Sequence, residues 1–351
     1  MKKAFSLFLV IAICAGLLSA CVTSSSSFTA PAGSAAASSA STSTASSNST
    51  IETPPVEMHV AALKGATTMG MVQLISNGEA GNSVNQYTFS IGTTDETVPM
   101  LAKGEIDAAA LPANLASVIY NNTNGAYQVA AINTLGVMYV LEKGDSIQSV
   151  EDLREKKIYS VGKGAVPEFS LNYVLSKNDI NPANGITIEY KSEAAEVLPL
   201  LMQEENAIAI LPQPFVTNAL SKVDGLRVAL DWTKEWNAVA NGESSLITGV
   251  VVVRRDFAEK HPDAVKAFLD EYKASVQFVT ENPADAAVLI EKYGIVAAPI
   301  AEQAIPGSNI VFIVDEELKN QLSGYLNVLY EQDPKSVGGK LPGDDFYYSA
   351  S

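Results

Sequence analysis

Residues 58–75 read MHVAALKGATTMGMVQLI and decide the fold. An apolar run ends at Leu63, a loop of lysine, glycine and threonine follows, and an apolar run with helical spacing resumes. This order predicts a buried parallel strand, a tight turn and a helix with an exposed first turn. Because helix N-termini beyond the carboxyl ends of strands present free N–H groups, the turn is a candidate binding loop. An ordinary strand-to-helix turn remains the alternative.

The order of strand, loop and helix follows twice more. We predict strands over residues 87–91 and 106–111 and helices over 96–102 and 115–120. Thr94 or Asp95 is the expected cap of the first of these helices, and Pro112 suits the first turn of the second. Three such units in succession predict a parallel sheet with right-handed crossovers and all its loops at one edge.

A second set of the same units follows a long apolar run. Residues 129–141 exceed the usual strand length, which indicates a strand that starts in one lobe and leaves it as a connector. Further strands are predicted over 156–161, 186–190 and 207–211, with helices over 168–176, 194–204 and 216–221. A return strand over 246–253 and helices over 262–281, 283–292 and 315–330 complete the prediction. Residues 333–351, rich in glycine, proline and aspartate, are expected to be loosely held.

The first twenty residues predict export. Lys2 and Lys3 precede an apolar stretch, and Leu-Ser-Ala-Cys ends at Cys21, as in a secretory signal. That quartet is similar to the bacterial lipobox, in which the cysteine is diacylated and becomes the mature N-terminus. The alternatives are a plain signal peptide that contains Cys21 and a transmembrane helix, for which the apolar run is short. Residues 21–56, mostly serine, threonine and alanine, are predicted to be a disordered tether.

Charge and cysteine content limit the possible partners. The net charge is -16, and removal of residues 1–20, with two lysines and no acids, makes it -18. An acidic surface disfavours binding to nucleic acid. The two cysteines are Cys14 and Cys21, so the mature chain has no internal disulfide. The 295 residues from 57 to 351 exceed one typical core, which predicts two lobes.

No catalytic or metal-binding group emerges from the sequence. The two histidines, His59 in the first strand and His261 before a helix, cannot combine with a free mature cysteine into a zinc or Cys–His site. Gly65 and Gly70 have the spacing of a phosphate loop, but Met71-Val72 replaces the required Lys-Ser/Thr. Gly162-Lys-Gly164 lacks the third glycine of a dinucleotide site. We therefore expect neither a metal nor a cofactor, and a binding protein rather than an enzyme.

Four short motifs carry a family resemblance. They are LKGATTMGM at 63–71, GEIDA from Gly104, AINTLG at 131–136 and VVVVR at 250–254. With the lipobox, the tether and the two α/β lobes, they resemble solute-binding lipoproteins of ABC importers in Gram-positive bacteria. More narrowly, they are similar to the nitrate, sulfonate and taurine branch, which shares its fold with thiamine-pyrimidine binding proteins.

The resemblance implies an α/β, type II periplasmic-binding fold, with two Rossmann-like lobes joined by a two-crossing hinge. The crossings are expected near 141–145 and 242–248, which places residues 57–143 and 246–351 in lobe one and 144–245 in lobe two. A monomer tethered outside the cell membrane by lipid on Cys21 would pass a small molecule to an ABC permease. The expected ligand-binding residues, drawn from loops of both lobes, are Lys64, Gly65, Thr67, Thr68, Met69, Gly70, Thr93, Thr94, Asp95, Pro112, Ala113, Asn114, Gly162, Lys163, Gly164, Val166, Gln213, Pro214, Phe215 and Thr248.

The sequence leaves the ligand and one functional alternative open. The arginines of the mature chain, Arg154, Arg227, Arg254 and Arg255, all lie outside the predicted cleft loops, although anions usually attract a bidentate arginine. Helix N-termini with Lys64 or Lys163 could hold an anion. A neutral heterocycle, favoured slightly, would stack on Phe169, Phe215, Tyr139 or Trp232. A ligand-sensing receptor module is an alternative, as is an enzyme like the pyrimidine synthases, whose cysteine-rich motif this chain lacks.

Overall fold

The computed structural model describes residues 55–349, so the predicted signal peptide, Cys21 and nearly all of the tether lie outside the described part. The strands are β1 Glu57–Leu63, β2 Gln86–Gly92, β3 Ala108–Pro112, β4 Tyr127–Leu135, β5 Met138–Lys143, β6 Lys157–Val161, β7 Thr187–Lys191, β8 Ile208–Pro212, β9 Leu226–Asp231, β10 Ile247–Arg254 and β11 Ile310–Ile313. The helices are α1 Ala66–Met69, α2 Val72–Glu79, α3 Thr94–Ala102, α4 Ala113–Asn122, α5 Val166–Lys177, α6 Val197–Gln203, α7 Phe215–Leu220, α8 Trp232–Ala240, α9 Arg255–Lys260, α10 Pro262–Glu281, α11 Pro283–Lys292, α12 Ala298–Ala304 and α13 Asp315–Gln332.

Two sheets divide the strands between two lobes. The first sheet has the order β11-β4-β10-β3-β1-β2 and the second the order β7-β6-β8-β5-β9. In the first, β1 pairs in parallel with both β2 and β3, as predicted. Helices cover both faces of β1, and its apolar residues Val60, Ala61 and Ala62 are fully buried, as expected for a strand in the middle of an α/β layer.

The chain crosses between the sheets twice. Strand β4 belongs to the first sheet and β5 to the second, and only Gly136 and Val137 separate them. The predicted crossing at 141–145 is therefore wrong by several residues, and Met138–Lys143 belongs to lobe two. The break between β4 and β5 could not be recognised in the sequence, because β5 lies inside the second sheet and is therefore as apolar as β4. The return, through residues 241–246 into β10, falls within the predicted second crossing except at its first residue.

The two crossings pack against each other. A methyl group on Gly136 would collide with the side chains of Thr233, in α8, and Leu246, just before β10. Asn309, beside β11, donates from its side-chain amide to the Gly136 carbonyl. Only glycine therefore fits at the first crossing, and the hinge is a paired, closely packed element.

A buried carboxylate, that of Glu142, stabilises the loop that follows β5 in lobe two. The side chain of Glu142, only 1 % exposed, accepts hydrogen bonds from Ser146 and Ile147 and an ion pair from Arg227 at 2.7 Å. Burial alone would raise the pKa of Glu142, but those hydrogen bonds and the Arg227 guanidinium outweigh it and lower the pKa below its ordinary value of 4.5.

The C-terminal segment, residues 333–349, departs from the expectation of loose packing. Val337 and Phe346 are fully buried against lobe one. Ser117 and Asn121 of α4 both donate to the Val337 carbonyl at 2.8 Å. Buried side chains spaced among the glycines and aspartates anchor the segment, which composition alone did not indicate. No helix within residues 55–349 is long and apolar enough to cross a bilayer.

Candidate ligand-binding cleft

The strand ends of the two lobes meet around an interlobe cavity of about 280 Å³. Its walls come from the β3–α4 junction, the first turn of α5, the end of β8 and both chain crossings. The lining residues are Pro112, Asn114, Val137, Met138, Ala165, Val166, Pro167, Ser170, Pro212, Leu246 and Thr248. A guest in this space would contact both lobes and both crossings at once.

Two helices begin at the cavity wall from opposite lobes. Helix α4 follows Pro112 directly, and α5 follows a loop whose Gly162 has φ 72°. A Cβ atom on Gly162 would also lie 2.7 Å from the Pro167 ring, so glycine is required there. The first N–H groups of any helix lack intrahelical partners. Backbone donors therefore accompany an otherwise apolar wall.

The cavity has little side-chain polarity. Among the described lining residues only Asn114, Ser170 and Thr248 carry polar side chains, and no lysine, arginine, aspartate, glutamate or histidine lines the wall. Four of the predicted ligand-binding residues line it, namely Pro112, Asn114, Val166 and Thr248. A charged guest would lose its hydration here without an opposite charge to compensate.

The strand and tight turn at the start of lobe one form as predicted, but the first helical turn, Ala66–Met69, is buried, so the prediction of an exposed first turn is wrong. This turn does not line the cavity. The hydroxyls of Thr67 and Thr68 are buried and both donate to the Leu63 carbonyl at the end of β1. Asn133 donates to the Thr67 carbonyl at 3.0 Å. These threonines therefore fix the turn. Lys64, Gly65, Met69 and Gly70 also lie outside the cavity wall.

The β2–α3 loop is capped differently from the prediction. Thr93, not Thr94 or Asp95, is the N-cap, and it forms a reciprocal capping box with Glu96. The Thr93 backbone N–H and its hydroxyl lower the pKa of Glu96. The side chains of Thr93, Thr94 and Asp95 are exposed to solvent.

The predicted loops of lobe two contribute unequally. Gly164 donates its N–H to the Glu168 carboxylate, and Lys163 is exposed. Gln213 is buried, and its side-chain oxygen accepts from the Thr217 hydroxyl at 2.9 Å. Of the predicted residues outside the cavity wall, Ala113 is buried beneath α4, whereas Pro214 and Phe215 lie partly exposed at the start of α7.

The aromatic side chains proposed for stacking lie elsewhere. Trp232 is fully buried and donates from its ring nitrogen to the Ser170 carbonyl, behind the cavity wall. Phe169 is buried beside it. Phe215 is 41 % exposed, and Tyr139 points to the opposite face of β5 from Met138. None of the four lines the cavity, so the stacking prediction is not supported by this wall.

Tyr139 instead joins the lobes. Its hydroxyl donates to the Gly307 carbonyl, between α12 and β11, at 2.8 Å. Burial raises the pKa of Tyr139 to about 12, and the neighbouring Asp231 adds to the shift, so the hydroxyl stays protonated in the neutral range. A Cβ on Gly307 would lie 3.0 Å from the Gln213 side-chain nitrogen, so Gln213 packs against the same residue.

Helix α13 of lobe one makes a second set of interlobe contacts. Gln332 donates to the Phe169 carbonyl at 3.0 Å, and the Tyr325 ring lies 5.7 Å from that of Trp236. A methyl group on Gly324 would collide with the backbone of Glu243 in the second crossing. The lobes are therefore in contact through α13 as well as through Tyr139.

The sequence missed part of the wall. Val137, Met138, Ser170 and Leu246 line the cavity but were not predicted. The first two follow the unrecognised break at Gly136. The available signal in the sequence was Gly136 itself. It is the residue within the long apolar run that is small enough for the close packing at the crossing.

Comparison with solved structures defines the class of fold. An ABC transporter structure from Parabacteroides distasonis is 24 % identical, with a TM-score of 0.69 over 84 % of this chain and 99 % of that one. The periplasmic aliphatic sulphonate binding protein of Escherichia coli is 15 % identical, with a TM-score of 0.67 over 84 % and 92 %. The periplasmic nitrate-binding protein of a Synechocystis strain is 12 % identical, with a TM-score of 0.53 over 83 % of each chain. The fold is therefore that of the type II periplasmic-binding proteins, as predicted.

A family model gives a narrower match. Residues 124–286, fewer than half of the chain, match the family described as NMT1/THI5 like. That span contains the end of lobe one's first segment, the whole of lobe two and the return strand β10. A search of curated proteins finds no match. The family model contains two of the four short motifs, at 131–136 and 250–254, and confirms the resemblance to a family that shares this fold.

Proposed function

We propose that this protein is an extracytoplasmic solute-binding protein that captures a small molecule between its lobes and delivers it to an ABC permease. The observation that carries the proposal is the cavity of about 280 Å³ whose wall is shared by both lobes and both crossings. Its volume lies just below the range typical of sites for drug-sized ligands. Solved structures of the same fold include proteins that bind sulphonate or nitrate, which supports a binding role.

Capture follows from the shared wall. A guest that touches Asn114 in lobe one and Val166 in lobe two gains contacts only when the lobes are together. Its binding energy therefore favours the closed arrangement over an open one, and the hinge equilibrium shifts. The closed form is the one that a permease would recognise, because only that form presents the two lobe surfaces in a fixed relation.

Membrane attachment is part of the proposal. A lipid on Cys21, followed by a tether through residue 56, would hold the protein at the outer face of the cell membrane. One acyl chain anchors only marginally, so a diacylated cysteine is expected. The globular part would then act as a monomer beside its permease.

Binding rather than catalysis agrees with the cavity wall. Ser170 and Thr248 are the residues of the described wall whose side chains belong to types that act as nucleophiles. The Ser170 hydroxyl donates to the Pro167 carbonyl at 2.9 Å. No histidine, lysine or carboxylate of the described wall stands beside it as a base. A ligand-sensing receptor module is the second candidate, since it needs the same cavity.

The test is a filled-cavity variant. In Val166→Trp the indole ring would occupy the cavity, whereas Val288→Trp changes a side chain that is 62 % exposed on α11. Native mass spectrometry of the full chain and thermal shift with a nutrient library should detect a bound solute in the parent protein and in the α11 variant, and none in the cavity variant. Equal binding by both variants would contradict the assignment of the site.

Membrane capture separates the two candidates. Vesicles that contain a candidate ABC permease with its ATPase, supplied with ATP, should retain the loaded protein and accumulate the solute. Retention by a receptor without accumulation of the solute would favour the sensor. Chemical conversion of the bound compound would instead favour an enzyme.

A further inference from the structure

The orientation of one amide in the cavity wall defines the chemistry of the solute. Asn114, in the first turn of α4, places its side-chain nitrogen 3.2 Å from the Ser336 carbonyl of the C-terminal segment. A carbonyl oxygen can only accept a hydrogen bond. The atom beside it must therefore be the amide nitrogen, because the reversed amide would bring two acceptors together. The C-terminal segment thus fixes which way Asn114 faces.

The fixed orientation leaves the Asn114 oxygen without a donor from the described residues, on a side chain that lines the cavity. No group within residues 55–349 donates to that oxygen, and it is not among the buried unpaired atoms of this part of the chain. Ser170 offers no such group, because it is fully buried and its hydroxyl donates to the Pro167 carbonyl. The acceptor of fixed orientation in the described wall is therefore that of Asn114.

The wall also supplies donors, but from the backbone. Helices α4 and α5 both begin at the cavity, and the first N–H groups of a helix lack intrahelical partners. In α5 these are the N–H groups of Val166 and Glu168, because Pro167 between them has none. Thr248 has a hydroxyl that can act either way. A guest that satisfies this wall needs an N–H for the Asn114 oxygen and an oxygen for the backbone donors, on an apolar body.

We propose that the solute carries a neutral amide-type group, with N–H and C=O together, and that Asn114 is the residue that selects it. The inference rests on the proposed function. Nitrate and sulphonate, the ligands of two proteins with this fold, carry acceptors only. Either anion would face the Asn114 oxygen without a proton to share, and without a cationic side chain in the described wall.

The experiment uses probes that differ in little but this group. Calorimetry and thermal shift on the full chain would compare nicotinamide with nicotinate, benzamide with benzoate, and benzenesulfonamide with benzenesulfonate. Native mass spectrometry would identify any compound that co-purifies. In each pair for which binding is detected, we expect the neutral compound to bind at least about tenfold more tightly than the acid. We also expect any compound that co-purifies to carry an N–H group.

Two variants test the role of the amide. Asn114→Leu removes the acceptor and should reduce the preference for the amide over the acid by about tenfold. Asn121→Leu is the matched control, since Asn121 lies on the same helix and donates to the same C-terminal segment at the Val337 carbonyl, but does not line the cavity. Equal melting temperatures of the two variants would show that both remain folded, and the preference ratio, unlike affinity alone, does not respond to a general loosening of the segment.

Each remaining outcome is decisive. Tighter binding of the acids, a co-purified acceptor-only anion, or an unchanged preference in the Asn114 variant overturns the inference and leaves the solute-binding function standing. A protein that co-purifies with nothing and responds to no compound in the pairs or the nutrient library contradicts the proposed function itself, and the inference with it.

Discussion

Loss of the Tyr139 hydroxyl should open the lobes. Tyr139→Phe deletes the interlobe hydrogen bond to the Gly307 carbonyl and leaves the ring in place. A hydrogen bond of this kind contributes about 1 kcal/mol net, which corresponds to a factor of about five in the ratio of open to closed molecules. Because the pKa of Tyr139 is raised to about 12, its contribution is present below the ordinary tyrosine value and is lost only as the pH rises through about 12.

Single-molecule fluorescence measures that ratio without a ligand. Dyes would be attached at Lys103 of lobe one and Lys222 of lobe two, each changed to cysteine in a chain whose Cys14 and Cys21 are serine. Tyr127→Phe is the matched control, since its hydroxyl bonds to the Leu101 and Ile106 carbonyls within lobe one. The Tyr139 variant should populate the low-transfer state about fivefold more than the parent, and the control should not.

An added methyl group probes the same contact from the other side. In Gly307→Ala the new atom would lie 3.0 Å from the Gln213 nitrogen and 3.3 Å from the Tyr139 oxygen, so it should also favour the open state. Equal distributions for the parent, Tyr139→Phe and Gly307→Ala would refute the reasoning, as would an equal shift in the intralobe control. In that case α13 alone would hold the lobes together.

Three further changes have defined outcomes. Glu142→Gln leaves buried donors without a charged acceptor and should lower the free energy of unfolding by about 2 kcal/mol at neutral pH. Because the pKa of Glu142 is lowered in the folded protein, the difference in the free energy of unfolding between parent and variant should be fully present above pH 4.5. Urea titrations should show that this difference shrinks as the pH falls through the lowered pKa. Gly324→Ala drives a methyl group into the Glu243 backbone and should cost about 1–3 kcal/mol, seen as a lower melting temperature. Cys21→Ser should release the protein from cell membranes into the medium, whereas Cys14→Ser should not, as immunoblots of the two fractions would show.

The regular elements could be predicted because their patterns are local. Strand β1 is a continuous apolar run, and helix α10 has apolar residues at helical spacing after a proline. Helix α10 begins and ends where predicted, at Pro262 and Glu281. Strand β9 and helix α8 were not predicted. Strand β9 is an edge strand, with Val228 41 % exposed, so it lacks the continuous apolar run of a central strand.

The candidate site was harder, because its wall depends on long-range contacts. The β1–α1 turn has the composition of a binding loop, but Thr67 and Thr68 use their hydroxyls on the strand that precedes them. Nothing local distinguishes a capping hydroxyl from one that is free for a guest. The orientation of Asn114 depends on a carbonyl 222 residues away, which no sequence period can reveal.

The C-terminal segment has a consequence for biogenesis. Asn114 is produced by the ribosome 222 residues before Ser336, yet the second fixes the amide of the first. Lobe two is one uninterrupted stretch that can fold as it emerges, whereas lobe one must wait for β10, α13 and the tail. The amide of Asn114 is therefore fixed only after the C-terminal segment has been synthesised and packed against α4.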